Sequence, residues 1–137
     1  MLKLNKDQIT RDRIIFGDRV TKYIGGVEYF EDMNLETLLK LANNNFINIK
    51  DRQGDNYKPI IKFAQFLKFC RDFSECSAEL TGYTVDKHRG DYRISIDGCA
   101  VHSEYSLSKK VLIEFFKLFH EASEIDITNN RALCWYD

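Results

Sequence analysis

"GYTVDKHRGDYRISI", residues 82–96, decides how the C-terminal half of the chain is read. Tyr92, Ile94 and Ile96 alternate with Asp91, Arg93, Ser95 and Asp97, the period-two pattern of a half-buried strand. Residues 79–85 supply its partner strand. The hexapeptide "DKHRGD" at 86–91 is the turn between them, and Gly90 is expected to provide a positive φ there. His88 sits at the tip of this turn beside Lys87, Arg89 and two Asp residues. An exposed hairpin tip stays solvated and is a poor place to shift a pKa, so the cluster is read as turn chemistry rather than catalysis.

Toward the C-terminus, Asp97-Gly98 reads as a second turn, with 99–103 extending the meander. Ser106 or Ser108 caps a helix that runs to about Glu121, with Val111, Leu112, Phe115, Leu118 and Phe119 on its apolar face. Ile125 and Ile127 alternate with Asp126. Asn129-Asn130 turns the chain into "ALCWYD", a closing strand. Residues 79–137 therefore read as a ββ(β)αββ unit.

Toward the N-terminus, Pro59 opens a helix to residue 73, because its missing amide costs nothing at a first helical position. Ile60, Phe63, Ala64, Leu67 and Cys70 form one stripe; Phe66, Phe69 and Phe73 form a second. So wide an apolar arc implies burial on two sides or an exposed aromatic surface. Residues 50–58 are a polar loop. Asn34 caps an earlier helix, with Leu35, Leu38, Leu39 and Ala42 on its stripe. Residues 13–30 read as strands, with Gly25-Gly26 as a hairpin turn.

The expected architecture is a single α+β domain over residues 1–137, with an antiparallel sheet and helices packed on one face. A β-hairpin region (1–31) leads into two helices (34–73) and the ββαββ unit (79–137).

Composition narrows the function classes. At 137 residues, with 44% apolar content and ten Phe, the chain can bury an ample core. The net charge of −1 provides no overall field for nucleic acid or acidic membranes, although residues 1–22 are locally basic. No apolar run approaches the roughly 18 residues of a membrane span, and Met1-Leu2-Lys3 opens no apolar leader. A cytoplasmic location is expected. Abundant Lys, Asn, Ile, Phe and Tyr with a single Pro suit a bacterial or phage source.

Four Cys sit at irregular spacing in apolar segments and read as reduced core thiols. Cys99 and His102 are three apart on a strand, so they face opposite ways and cannot share an ion. The sequence holds no zinc knuckle, phosphate loop or nucleophile elbow. Catalytic, metal and cofactor residues are expected to be absent, and no carboxylate stands in an apolar setting that would raise its pKa.

Trp135-Tyr136 is the most informative pair left. Adjacent strand residues face opposite sides, so one ring joins the helix-covered core and the other lies on the second sheet face. Residues 13–30 are expected to cover most of that face and leave a smaller patch. Arg93, Trp135, Tyr136, Phe66 and Phe69 are the candidate partner-binding residues, because aromatic rings and guanidinium groups dominate protein-binding hot spots. The expected function is a small non-catalytic protein-binding protein of interaction, inhibitor or immunity type, with a protein partner or its own copy as ligand. The alternatives are nucleic-acid binding through the basic N-terminus or sheet aromatics, and a small-ligand binder or enzyme without a recognisable motif.

Overall fold

The computed structural model describes residues 4–47 and 63–136. The elements run α1 (Gln8–Phe16), β1 (Val27–Met33), α2 (Leu35–Asn43), α3 (Phe63–Asp72), β2 (Ser77–Val85), β3 (Ile94–His102), α4 (Lys109–Phe119), β4 (Glu124–Ile127) and β5 (Arg131–Trp135). The strands form one sheet in the order β1-β2-β3-β5-β4. All neighbours are antiparallel. The chain is an α+β domain with its helices on one face of this sheet, as the alternation of the C-terminal half requires.

Local chemistry sets the helix starts. Asn34 accepts from the Thr37 amide at 2.8 Å and Ser108 accepts from the Val111 amide at 3.2 Å. Each satisfies a first-turn donor that has no intrahelical partner. The core lies between the sheet and the helices. Leu80, Ile94, Ile96, Cys99 and Val101 meet Leu38, Leu41, Phe66, Phe69, Phe115 and Phe119 in one buried cluster. Phe69 packs at 6.3 Å from Phe115, ring to ring, and Phe115 at 4.8 Å from Phe119. The Phe66, Phe69 and Phe73 stripe of α3 is thus buried, within the sheet–helix core and against Phe115 of α4. The start of that helix at Pro59, the Ile60 position and the polar loop at 50–58 lie outside the described residues. On α2, Leu41 is fully buried while Leu39 is exposed. The core takes the face of Leu38 and Leu41, with Leu35 and Ala42 packed at its edge, and leaves Leu39 outside.

Within this fold the structure corrects four local expectations. The expected hairpin over 13–30 is instead a helix, a short connection and an edge strand. Asp7 accepts from the Thr10 amide at 3.2 Å and from its hydroxyl at 2.7 Å, which starts α1 despite the Ile-Ile-Phe run. Gly25 and Gly26 do take positive φ, 68° and 82°, but in a single turn that launches β1. Asp97-Gly98 is not a turn: β3 runs straight through it. Thr81 pairs with Gly98 while Gly82 pairs with Ile96, so Asp97 is the additional residue of a β-bulge. Gly90 does not take a positive φ. The tip is closed instead by the Arg89 amide donating to the Asp86 carbonyl at 3.0 Å and the His88 amide donating to the Asp86 carboxylate at 3.0 Å.

Arg11 explains where the N-terminal segment goes. It is fully buried. Its guanidinium donates to the Val85 carbonyl at 3.1 Å and to the Tyr23 hydroxyl at 2.9 Å, and it pairs with Asp12 at 3.0 Å. The Tyr92 ring lies 4.5 Å from it. Tyr23 in turn donates to Asp12 at 2.6 Å, and burial together with that bond pushes its phenol up to about 12. This network ties α1 to the end of the β2–β3 hairpin on the helix side. Ile14, Ile15 and Phe16 pack against the same core as the other helices. Residues 13–30 therefore do not cover the second face of the sheet.

Candidate functional site: the uncovered face of the sheet

The bulge at Asp97 fixes which side chains meet on the second face. Before it, Ile94 and Ile96 point to the core; after it, Cys99 and Val101 do. Asp97 and Ala100 are thereby turned outward, in line with Thr81 and Glu79 of β2. Trp135 stands opposite Gly98, and Leu133 opposite Ala100.

Side-chain size then shapes the surface. The central strands present Thr81, Gly82, Gly98 and Ala100, which give a low floor. Trp135 and Leu133 rise on one side, and Tyr29 and Glu31 on the other. The result is a groove of about 650 Å³. Gly98 is required at its floor: a Cβ there would run into the Thr81 hydroxyl and lie 2.9 Å from the Cys134 carbonyl. Tyr29 is 64% exposed at the groove's rim, and its ring lies 5.9 Å from that of Tyr83.

The groove is acidic. Glu31, Asp32, Glu79 and Asp97 line it, against Arg131 alone. Asp97 is half-buried, and burial pushes its carboxyl above its ordinary value, although the Thr81 hydroxyl donates to it at 3.3 Å. Glu79 meets His102 at 3.4 Å. Ser77 pairs with His102 in the ladder, so Ser, His and Glu share one end of this face. Among the described residues no hydrogen bond joins Ser77 to His102, and the His102 and Glu79 side chains are each 42% exposed. This arrangement lacks the nucleophile–base contact and the desolvation of a catalytic centre.

The expected partner-binding residues separate clearly. Trp135 lies on the uncovered face and walls the groove. Arg93 lies on the same face, but its guanidinium is engaged by Asp91 at 2.8 Å and by the Tyr83 hydroxyl at 3.0 Å. The Arg93 bond also holds the Asp91 carboxyl below its ordinary value. Tyr136 packs against the core and also lines the groove, and burial pushes its phenol up to about 12. Phe66 and Phe69 are buried, at 1% and 6% exposure, and are core residues rather than surface ones. Burying such a ring stabilises by about 1.5–3 kcal/mol, which would have to be given up to present it to a partner.

Sequence reasoning missed Asp97, Glu79 and Tyr29. The signal for Asp97 was present as a phase slip: core positions advance 92, 94, 96 and then 99, 101, which marks an inserted residue. His88 is exposed at the hairpin tip. Cys99 and Cys134 are buried, Cys70 and Cys76 half-buried, and all four are free thiols. Among the described residues no group of three or more His, Cys, Asp or Glu is placed to hold a metal ion. Nor is any described helix long and apolar enough to cross a membrane. Comparison with protein-family models, curated proteins and solved structures gives no significant match.

Proposed function

We propose that this chain is a small non-catalytic binding protein that docks a partner protein on the uncovered face of its sheet. The observation that carries the reading is the groove itself. Among the described residues the helices and the N-terminal segment pack on the other side, and the groove combines a low floor with aromatic walls. Two-layer folds bury one sheet face against helices; a concave second face with Tyr29 exposed and Trp135 half-buried along it suits a protein interface. An inhibitor or immunity role in the cytoplasm of a bacterial or phage-infected cell fits a small domain with a concave, aromatic-walled sheet face.

The groove's charge disfavours the nucleic-acid alternative, since its carboxylates repel phosphate. The basic N-terminal stretch is also weaker than its sequence suggests. Arg11 is buried, and Arg19 pairs with Glu28 at 3.3 Å and lies over Phe16. The groove volume does fall within the range of small-molecule sites, but its walls are open and its polar groups are spread along it.

Site-directed photo-crosslinking tests the reading. A photoreactive residue at Leu133, in the groove, should give a discrete adduct with one protein in extracts of the source cell. The same residue at Ile9, exposed on α1, should not, and Trp135→Glu should abolish the Leu133 adduct. Equal adducts from both positions, or none from Leu133, would remove the groove as the docking site.

A further inference from the structure

Charge and span together identify the kind of segment that fits the groove. The carboxylates lie on β1, β2 and β3, and Arg131 stands on β5. With neighbouring strands about 4.8 Å apart, the lining from β1 to β5 extends over about 14 Å. The carboxylates themselves span β1 to β3, about 10 Å, too far for one small amine, whereas an extended peptide can place successive side chains along the groove. Glu31 and Asp32 have no ion-pair partner among the described residues. At the floor, Asp97 lies beside the Trp135 wall: Trp135 pairs with Gly98, and the Tyr136 amide donates to the Asp97 carbonyl at 2.7 Å. A carboxylate and an indole on adjoining strands can together receive a guanidinium or ammonium group, through a charge-assisted hydrogen bond and a cation–π contact.

We infer that the groove binds an extended, basic segment of the partner protein, with an Arg or Lys side chain seated between Asp97 and Trp135 and neighbouring basic residues on Glu79 and Glu31. The inference rests on the protein-binding reading and specifies the partner's chemistry. The raised Asp97 carboxyl is consistent with it, because a desolvated carboxylate gains most from an arriving cation. Arg131 at the opposite margin then sets direction: it accommodates an acidic or polar residue at one end of the segment and repels a basic one.

The probe is a synthetic peptide of alternating Arg and Thr, with its Glu-for-Arg counterpart as control, titrated into the full chain. Trp135 fluorescence and backbone amide shifts are the readouts. The Arg peptide should shift Thr81, Asp97, Ala100 and Trp135, and its affinity should fall steeply with salt. The double variant Glu79→Gln/Asp97→Asn should weaken it by at least about ten-fold, while Glu114→Gln on α4 should not. Thermal melts establish that the double variant is folded. Shifts confined to other surfaces, no binding by the Arg peptide, or equal binding by the double variant would each overturn the inference. If the Arg peptide fails while the Leu133 crosslink persists, the partner's chemistry is wrong and the docking face stands. If both fail, the docking face falls as well.

Discussion

Gly98 and Trp135 stand directly opposite one another on β3 and β5, so the widest side chain of the second sheet face overlooks a position with no side chain. The groove follows from this pairing. It also makes Gly98 sensitive to substitution, since an added Cβ meets both the Thr81 hydroxyl and the Cys134 carbonyl. Gly98→Ala should lower stability by about 1–3 kcal/mol, as overpacking does. A denaturant midpoint unchanged from wild type would show that the floor is looser than described.

Asp97 should register its setting in the pH dependence of stability. Its folded carboxyl holds the proton more tightly than the unfolded one, whose value lies near 3.8. Protonation therefore favours folding. That stabilisation is full below the unfolded value and is lost as pH rises through the raised folded value. Asp97→Asn should melt above wild type near neutral pH, with the difference shrinking as the solution is acidified. A variant that melts lower at neutral pH would show that the carboxylate stabilises the fold.

Arg11 is a buried cation whose removal takes the ion-pair partner from Asp12, which keeps the Tyr23 hydroxyl, and a guanidinium donor from the Val85 carbonyl. Arg11→Ala should cost about 3–5 kcal/mol, the range for breaking a buried pair. A similar cost of about 3–5 kcal/mol is expected for Phe115→Ala, a fully buried aromatic. His88→Ala, at the exposed tip, should change stability by less than about 0.5 kcal/mol. Paired urea melts of the three variants check all of this; comparable losses for His88 and Phe115 would misplace the core.

Much of this fold is legible in the sequence, and the misses have physical causes. The β2–β3 hairpin, α4 and the β4–β5 hairpin follow from clean alternation and from caps such as Ser108. The α1 segment was misread because Ile14, Ile15 and Phe16 carry β propensity, while the Asp7–Thr10 cap and the buried Arg11 network decide the outcome. The Asp-Gly pair at 97–98 was misread because a bulge and a turn use the same residues; only the phase of the flanking core positions separates them. At the site, Trp135 was legible from strand parity. The acidity of the groove was not, because Glu31, Glu79 and Asp97 come from three strands whose pairing the sequence does not state.

The buried thiols offer an independent check on the core. Cys99 and Cys134 face each other across β3 and β5. Burial pushes Cys134 up to about 12 and Cys99 well above its ordinary value. Both should resist a thiol-directed alkylating reagent in the native protein and react on unfolding, with mass spectrometry reporting each site. Rapid native labelling of either would show that the sheet–helix interface opens.

Trp135 is the chain's only tryptophan, which makes its fluorescence a direct probe of the groove. The decisive measurement compares its quenching by caesium and by iodide at matched ionic strength. An open groove lined by four carboxylates and one guanidinium concentrates cations and excludes anions at the indole. Caesium should quench more strongly than iodide, and Glu79→Gln/Asp97→Asn should reduce the difference. Protection from both ions, or preferential quenching by iodide, would contradict an open acidic groove on the second face of the sheet.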